Sequence, residues 1–265
     1  MIAEILCIGN ELLSGITLNS NAHWLAAEIS GAGGIVKRVT VIRDELVEIS
    51  DAVKESLARK PDILVTTGGL GATYDDLTLQ GIALALGKNI VLDSRAMKML
   101  KKSYKRRKLD HELTGAGIKM AKIPENSMPI ENPVGSAPGV AEQAGKTKIF
   151  CLPGVPTEMQ AIFERQILPL VKKAVGKFIV KEINYSVRGV TEAMIAPVLI
   201  KIVESHPRDA IYLKTHPRGY YRKSTPRISV QLISRGDDGK KVKKRLYSIA
   251  KIIEKEVALL GGRIS

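Results

Sequence analysis

Apolar runs alternate with amphipathic segments along the first two thirds of the chain. The runs at residues 2–8, 34–42 and 62–67 are typical of buried strands. Between the last two, from Asp44 onward, apolar residues recur at three- and four-residue intervals, and this period predicts an amphipathic helix. Strands that alternate with helices predict an α/β fold, in which a mostly parallel sheet is covered by helices on both faces as three αβα layers.

The same reasoning places further elements downstream. Helices are predicted at residues 19–29, 78–86 and 93–108, with Asn19 or Ser20 capping the first and Gly87 ending the second. Residues 147–154 predict another strand after Gly/Pro-rich loops. The helix that follows this strand should turn one apolar face to the core, formed by Met159, Ile162, Phe163, Ile167 and Leu170.

The last ninety residues follow a different order. Strands are predicted at residues 178–188, 210–215 and 227–234, with a helix at about 191–204 that Pro197 should end or kink. A final helix places six apolar residues on one face: Val242, Leu246, Ile249, Ile253, Val257 and Leu260. This βαββα order predicts a small α+β domain. With Gly176 as a plausible boundary, the sequence predicts domains at residues 1–172 and 177–265.

Charge divides the chain in the same way. The net charge is +14, and counting along the sequence assigns +1 to residues 1–171 and +13 to residues 172–265. A near-neutral domain followed by a basic domain suggests two different roles.

Cysteine usage and hydropathy indicate the compartment. Cys7 and Cys151 both lie in apolar, strand-like stretches, so we expect buried, inert thiols in a reducing cytoplasm. No apolar run approaches the length of a membrane span, and the N-terminus has no basic region of the kind that precedes a signal peptide. We therefore expect a cytoplasmic protein without a membrane partner.

The stretch TTGGLGATYDD, residues 66–76, ends a predicted strand in three glycines and two adjacent carboxylates. In an open parallel sheet, ligands bind at the carboxyl ends of the strands. Gly68, Gly69 and Gly71 would let backbone N–H groups approach a phosphate. Asp75 and Asp76 would repel a bare phosphate, so a divalent cation such as Mg²⁺ is expected to join them to it. The alternative is a tight turn in which one aspartate caps the helix at residue 78.

Two more loops are predicted at the same sheet edge. LPGVPTEM follows the strand at residues 147–154, and GNELLSGITLNSN follows the first strand and offers four polar side chains: Glu11, Ser14, Asn19 and Asn21. Ordinary roles stay open for several candidates. Asn19 and Asp44 could simply cap their helices, and Glu158 could pair with a helix dipole.

Four ordered motifs, GNELLSG…NSN, TTGGLGATYDDLT, NPVGSAPG and LPGVPTEM, resemble the competence/damage-inducible CinA family. The resemblance covers about residues 1–170 and implies a MoaB/Mog-type molybdopterin-binding fold. The basic domain resembles the KH-like domain that follows in CinA proteins. No counterpart of the C-terminal nicotinamide mononucleotide deamidase domain is present in these 265 residues, so that activity is not expected.

The resemblance implies a nucleotide site, with metal-dependent ADP-ribose pyrophosphatase activity or, as an alternative, nucleotide or molybdopterin binding without turnover. Asp76 and Asp44 match the family's catalytic acids. The implied contacts to phosphate or nucleotide are Gly68, Gly69, Gly71, Asn19, Asn21, Ser14, Gly135, Gly139, Gly154 and Glu158. Asp75, Asp76 and Glu11 would hold a divalent cation, and a monovalent cation is also possible. A homo-oligomer is expected, with a dimer favoured and a trimer possible. Ala72 and Tyr74 replace a proline and a histidine that are common in the family, so the substrate preference stays open.

The basic domain raises a competing hypothesis of nucleic-acid binding. Its clusters HPRGYYRKSTPR and KKVKKR carry the charge, and Tyr220 and Tyr221 could stack on bases. No GXXG loop is found between predicted helices, where RNA-binding KH domains carry it. Dimerisation, or a cover over the nucleotide cleft, is therefore favoured over nucleic-acid binding. The basic run at residues 101–108 is a second candidate for polyanion binding. His23 and His111 are weaker acid/base candidates.

Overall fold

The computed structural model describes residues 1–108, 115–206, 210–218 and 225–264 of the chain. Contacts divide the chain into two compact units, Met1–Gly176 and Lys177–Ser265. Gly176, where unit 1 ends, adopts φ 75° and ψ −148°, a region of backbone conformation that is essentially restricted to glycine. Each unit has its own hydrophobic core.

The elements of unit 1 alternate between strands and helices through much of its length. Its strands are β1 (Ile2–Ile8), β2 (Ile35–Ile42), β3 (Ile63–Thr67), β4 (Ile90–Leu92), β5 (Lys122–Pro124), β6 (Met128–Ile130), β7 (Gly139–Ala144) and β8 (Thr147–Leu152). Its helices are α1 (Asn10–Leu13), α2 (Ser20–Gly31), α3 (Leu46–Ala58), α4 (Thr78–Leu86), α5 (Ser94–Arg106), α6 (Gly115–Lys119), α7 (Pro156–Ile162) and α8 (Leu168–Val175), with a π-helical turn at Phe163–Ile167.

A six-stranded sheet in the order β2-β1-β3-β8-β7-β6 forms the middle layer of unit 1. Strands β2, β1, β3 and β8 are parallel, and β7 and β6 continue the sheet in antiparallel pairing. One core cluster packs Ile49, Ile82 and Leu100 on one side of the sheet, and a second packs Leu25 and Phe163 on the other. The predicted three-layer α/β fold, with a mostly parallel sheet, is confirmed.

Pattern analysis missed β4, β5 and β6, because three-residue strands carry too little period to separate from loops, and it missed the six-residue β7, which directly follows a loop rich in Pro and Gly. It was also wrong about one position of the helix after β8. Leu170 is 42% exposed, whereas Val171 is buried with Phe163 and Ile167. The π-helical turn before α8 widens the helix, so the buried residues recur every four positions from residue 163 to 171.

Unit 2 is built from β9 (Ile179–Arg188), α9 (Glu192–Glu204), β10 (Ile211–Pro217), β11 (Arg227–Gly236), α10 (Gly239–Leu259) and β12 (Arg263–Ile264). Its strands form an antiparallel sheet in the order β10-β11-β9-β12. The extra strand β12 was not predicted, because two residues carry no detectable period. Helix α9 does not end at Pro197, which lies inside it.

None of the helices in the described ranges is long and apolar enough to cross a membrane.

Candidate functional site

The carboxyl ends of β1, β3 and β8 are adjacent in the sheet, and the loops that follow them surround a cleft of about 420 Å³. The first loop contributes Glu11, and the second contributes the glycine turn from Gly68 together with the two aspartates. The third contributes Gly154 and Glu158. The prediction that these three loops meet at one edge of the sheet is therefore confirmed by the topology.

The glycine turn adopts a conformation that only glycine accommodates easily. Gly68 and Gly69 have φ values of 105° and 65°. A Cβ on Gly68 would overlap the carbonyl oxygen of Ile8, and one on Gly69 would overlap Thr78 Oγ1. Within the described ranges, the N–H groups of Gly69 and Gly71 donate to no protein acceptor. These N–H groups are therefore available to an anionic ligand in the cleft.

Asp75 and Asp76 converge on a single hydroxyl group. Thr73 Oγ1 lies 2.6 Å from Asp75 Oδ1 and 2.5 Å from Asp76 Oδ2, and Thr73 N also donates to Asp76 Oδ2 at 2.8 Å. The hydrogen bond from the Thr73 side chain lowers the pKa of Asp75, so this carboxyl group favours its charged form. A hydroxyl group has one proton, so it can donate to only one of the two carboxylates at a time.

Asp44 links the loop after β2 to the loop after β1. Its Oδ2 accepts the N–H of Asn10 at 2.8 Å. Partial burial raises the pKa of Asp44, and the negative charges of Glu11, Asp75 and Asp76 raise it further, against the lowering effect of the Asn10 bond. Asp44 therefore lies within electrostatic reach of the other acidic residues, and its carboxyl group holds a proton more readily than an ordinary aspartate.

Arg107 is the one cationic side chain among the described residues that line the cleft. Its Nη1 donates to Ser136 Oγ at 2.7 Å. Arg106 donates to the carbonyl oxygens of Asn132 and Gly135, so both arginines at the end of α5 hold the loop that contains NPVGSAPG. The basic run at residues 101–108 thus supplies a cleft residue as well as solvated charge.

The NPVGSAPG loop is fixed against Glu158. Asn132 Nδ2 donates to Glu158 Oε2 at 2.7 Å, while Asn132 Oδ1 accepts the N–H groups of Val134 and Gly135. The Glu158 carboxylate occupies the space that a side chain at position 135 would need. Gly135 is therefore required for Glu158 to reach its place, and Glu158 does more than pair with the dipole of α7.

Five predicted contact residues lie outside the cleft lining, and one of them is Gly135, against which the Glu158 carboxylate is placed. Asn19 caps α2 by accepting the N–H of Ala22, and Asn21 joins Thr67 Oγ1 to the carbonyl of Gly154. Both asparagines line a smaller depression of about 90 Å³ that shares Glu11, Gly68 and Gly154 with the cleft. The other two residues are structural in their contacts. Ser14 bonds the carbonyl of Glu11, and Gly139 is buried in β7.

The capping alternatives for the aspartates are wrong. Helix α4 is preceded by Leu77 and α3 by Glu45, and neither residue makes a side-chain cap bond. Asp76 and Asp44 instead bond Thr73 and Asn10. Both aspartates are committed to loops around the cleft, Asp76 through a local contact three residues away and Asp44 through a tertiary contact 34 residues away.

The predicted cation ligands are only partly assembled. Across the described ranges, no three His, Cys, Asp or Glu side chains are grouped closely enough to hold a metal ion. Glu11 therefore does not join Asp75 and Asp76 in one ligand set. The remaining pair still fits a hard cation, because two carboxylates converge with one shared proton donor. Mg²⁺ is commonly bound by one or two carboxylates plus substrate phosphates.

Sequence reasoning missed Thr73, Asn132 and Ser136 as members of the site. Thr73 lies within the glycine-turn motif, and a hydroxyl three residues before an aspartate is a recognisable local signal. The other two lie within NPVGSAPG, where only contacts across the fold reveal their partners. Exposed His23 does not line the cleft, and His111 lies outside the described residues. Cys7 and Cys151 are buried free thiols as predicted, and burial raises the pKa of Cys151 to about 12.

The fold has three layers, and the loops at the carboxyl ends of its parallel strands carry a glycine turn and several aspartates. These features define a class of ligand-binding α/β domain. The chain belongs to the family described as probable molybdopterin binding domain (MoCF_biosynth), which matches residues 4–173.

Relatives and one solved structure extend this assignment. A protein of Metallosphaera sedula is 40% identical over 262 residues, which cover 99% of this chain and 96% of that protein. A protein of Aeropyrum pernix is 38% identical over 263 residues, with 99% and 96% covered. The crystal structure of the protein CinA of Thermoplasma acidophilum, described as of unknown function, is 39% identical. It matches with a TM-score of 0.58 over 66% of this chain and 99% of that one. The CinA resemblance is therefore supported for unit 1.

Proposed function

We propose that unit 1 binds a nucleotide or molybdopterin-like ligand through its phosphate groups and, together with a divalent cation, hydrolyses a pyrophosphate bond. ADP-ribose or a similar nucleoside diphosphate compound is the proposed substrate. The observation that carries this proposal is the charge of the cleft. Five carboxylates and one arginine are among its described lining residues: Glu11, Asp44, Asp75, Asp76, Glu158 and Arg107.

This excess of negative charge matters because the glycine turn beside it is suited to an anion. Carboxylates repel phosphate, so an anionic ligand would be destabilised in the cleft unless a cation accompanied it. A dedicated metal cage is not required, since Mg²⁺ keeps several of its own waters and takes phosphate oxygens as ligands. The paired Asp75 and Asp76 would hold this ion, which when bound supplies positive charge to the phosphate oxygens and makes a water more acidic.

The chain's own groups have distinct parts in the proposed reaction. The N–H groups of Gly69 and Gly71 hold one phosphate, and Arg107 contributes positive charge from the end of α5. Asp44 accepts a proton from the attacking water, a role suited to a carboxyl group whose pKa is raised. The water oxygen forms a bond to one phosphorus as the bridging P–O bond breaks. ADP-ribose and water then give AMP and ribose 5-phosphate.

Binding without turnover is the second candidate. Two observations favour it, namely the absence of a three-ligand metal group from the described residues and a family description that names binding alone. A titration that shows tight nucleotide or molybdopterin binding, with no AMP released in the presence of any divalent metal, would establish it over hydrolysis.

The test measures AMP release from ADP-ribose by the full chain, in reactions that contain either Mg²⁺ or excess chelator. Chromatography detects the AMP. We expect metal-dependent turnover in the wild type and a loss of about 100-fold or more in Asp76→Asn, which keeps the shape but removes the charge. The matched control is Asp51→Asn, which removes an exposed aspartate of α3 that pairs with Lys54 outside the cleft. Equal activity in the two variants would remove Asp76 from the mechanism.

A further inference from the structure

The sheet of unit 2 has two faces of different character. Along β11, Ile228, Val230 and Leu232 are buried in the core with residues of α9 and α10. The alternate positions, including Arg227, Ser229 and Gln231, belong to the other face because successive side chains of a strand point in opposite directions. This second face, called here the open face, is polar along these three positions.

Four arginines form a row across one end of the open face. In the strand register, Arg188 of β9 lies opposite both Arg227 of β11 and Arg263 of β12. Arg218, just after β10, donates its backbone N–H to the carbonyl oxygen of Arg227 and so extends the row to the fourth strand. All four side chains belong to exposed residues. Directly opposed residues of antiparallel strands share a face, so these four arginines stand side by side on the open face.

The arginine row has no acidic partner within the described parts of the chain, since none of its members forms an ion pair there. Like charges placed directly opposite each other destabilise a sheet. The acidic residue on this face, Glu182, lies at the far end, opposite Ile233, where it bonds Asn184 and Gln231. An external anion would offset the repulsion that the protein itself leaves uncompensated.

Beside the arginine row lie hydrogen-bonding side chains rather than apolar ones. His216, Ser229 and Ser186 are opposite one another in the next row, and Arg218 Nε donates to Ser229 Oγ at 2.7 Å. These residues line a depression of about 670 Å³ on the open face. The depression therefore has two arginines of the row, Arg218 and Arg227, along one side and neutral donors and acceptors next to them.

The length of the arginine row indicates which class of anionic ligand it could bind. Strands are about 4.8 Å apart, so four arginines span roughly 14 Å. This exceeds the reach of one pyrophosphate, and it suits several phosphates of a nucleic-acid strand, which carries one negative charge per about 3.4 Å of helix axis in a duplex and is more extended when single. We propose that the open face of unit 2 binds single-stranded nucleic acid, with the arginine row on the phosphates and the polar rows on bases and sugars.

A single strand fits this face better than a duplex does. The polar groups beside the row can reach base edges only if the bases are unpaired, and sheets with exposed polar and aromatic side chains bind unpaired bases in other nucleic-acid-binding proteins. The interaction differs from that of an RNA-binding KH domain, which grips the backbone through a GXXG loop. This inference concerns unit 2 alone and does not depend on the proposed hydrolase activity.

The test uses the full chain and fluorescein-labelled oligonucleotides, a 12-nucleotide oligo-U and a 12-base-pair duplex, with fluorescence anisotropy between 50 and 200 mM salt. Arg188→Gln combined with Arg227→Gln should weaken oligo-U binding about tenfold or more. It should also lower the salt slope, which is the steepness of log affinity against log salt concentration, by about 1.4, since each phosphate contact to a single strand contributes about 0.7. The control, Lys251→Gln with Lys255→Gln, removes the same charge from exposed positions of α10. It should change affinity less than twofold. Arg188→Lys with Arg227→Lys should restore most of the salt slope.

Three results would overturn the proposal. The first is no oligo-U binding at 50 mM salt. The second is an equal loss in the arginine and lysine variants, which would show attraction by net charge without a site. The third is duplex binding or phosphatidylserine-vesicle binding that depends on Arg188 and Arg227 while oligo-U binding does not. Thermal unfolding of each variant shows whether the fold is retained, and exposed arginines are expected to be replaceable.

Discussion

The candidate sites of the two units differ in the sign of the charge that clusters there without ion-pair partners. In unit 1, carboxylates surround the cleft, whereas in unit 2, arginines cross the open face. Elsewhere in unit 1, buried carboxylates are paired within the protein. Glu4 meets Arg59 and Glu142 meets Lys88, each at 2.7 Å. A charge that the fold itself pairs supports the structure, and a cluster of like charges without partners indicates where a ligand of opposite sign would bind.

The largest effect is expected when a buried charge loses its ion-pair partner. Lys88→Met removes the partner of Glu142, a largely buried carboxylate that would keep its bonds from Ser127 and Gln143 N. We expect the free energy of unfolding of unit 1 to fall by about 2–3 kcal/mol, less than for a fully buried pair because Lys88 is partly exposed. Trp24, the single tryptophan, lies in unit 1 and reports its urea unfolding by fluorescence.

The control for this prediction is Lys54→Met, which removes an exposed partner 3.4 Å from Asp51. Its effect should stay below about 0.5 kcal/mol. If the two variants were equally destabilised, the division between paired structural charges and unpaired ligand-binding charges would lose its basis.

A second prediction concerns Arg107 within the acidic cleft. Arg107→Gln should weaken binding of ADP-ribose in the presence of Mg²⁺ about tenfold, because it removes the positive charge that offsets five carboxylates. Isothermal titration calorimetry measures the change. Lys105→Gln, in the last turn of α5 and outside the cleft lining, should leave the affinity within twofold of wild type. A loss of equal size in both variants would indicate general attraction to the basic run at residues 101–108.

The third prediction uses the pKa of Asp44. A carboxyl group whose pKa is raised in the folded state contributes stability below its unfolded pKa and loses it as the pH rises through the folded value. Asp44→Asn stays neutral and can still accept the Asn10 N–H. Its Tm should therefore exceed that of wild type by about 1–3 °C at pH 7. The difference should shrink as the pH falls through and below the ordinary aspartate pKa of about 4, because wild-type Asp44 then becomes protonated in both the folded and the unfolded state. A lower Tm at pH 7 would show that the Asp44 charge stabilises the fold.

The smallest expected effect tests whether each unit has its own ligand. Residues 1–176 alone should bind nucleotide with an affinity within twofold of the full chain, because every described residue of the cleft lies in unit 1. Calorimetry on this fragment and on the full chain carrying Arg188→Gln and Arg227→Gln makes the comparison. Weaker binding by a cooperatively folded fragment would show that unit 2 completes the nucleotide site.

Local sequence patterns determined much of this protein. Buried strands β1, β3 and β8 follow from apolar runs, and α4 begins at Thr78 and ends before Gly87 as predicted because period and stop signal agree. The glycine turn and its aspartates could also be recognised from the sequence, because closely spaced glycines and adjacent carboxylates form a local pattern. What they bind was not visible, and it stays a prediction.

The tertiary structure decided the partners. Asp44 bonds Asn10 across 34 positions, and Asn132 orients Glu158 across 26, so no local pattern could separate them from caps and loop residues. The arginine row depends on the register of four strands, and a slip of one residue would turn its members toward the core. Sequence alone distributes charge along the chain, whereas register and strand order decide which charges become neighbours.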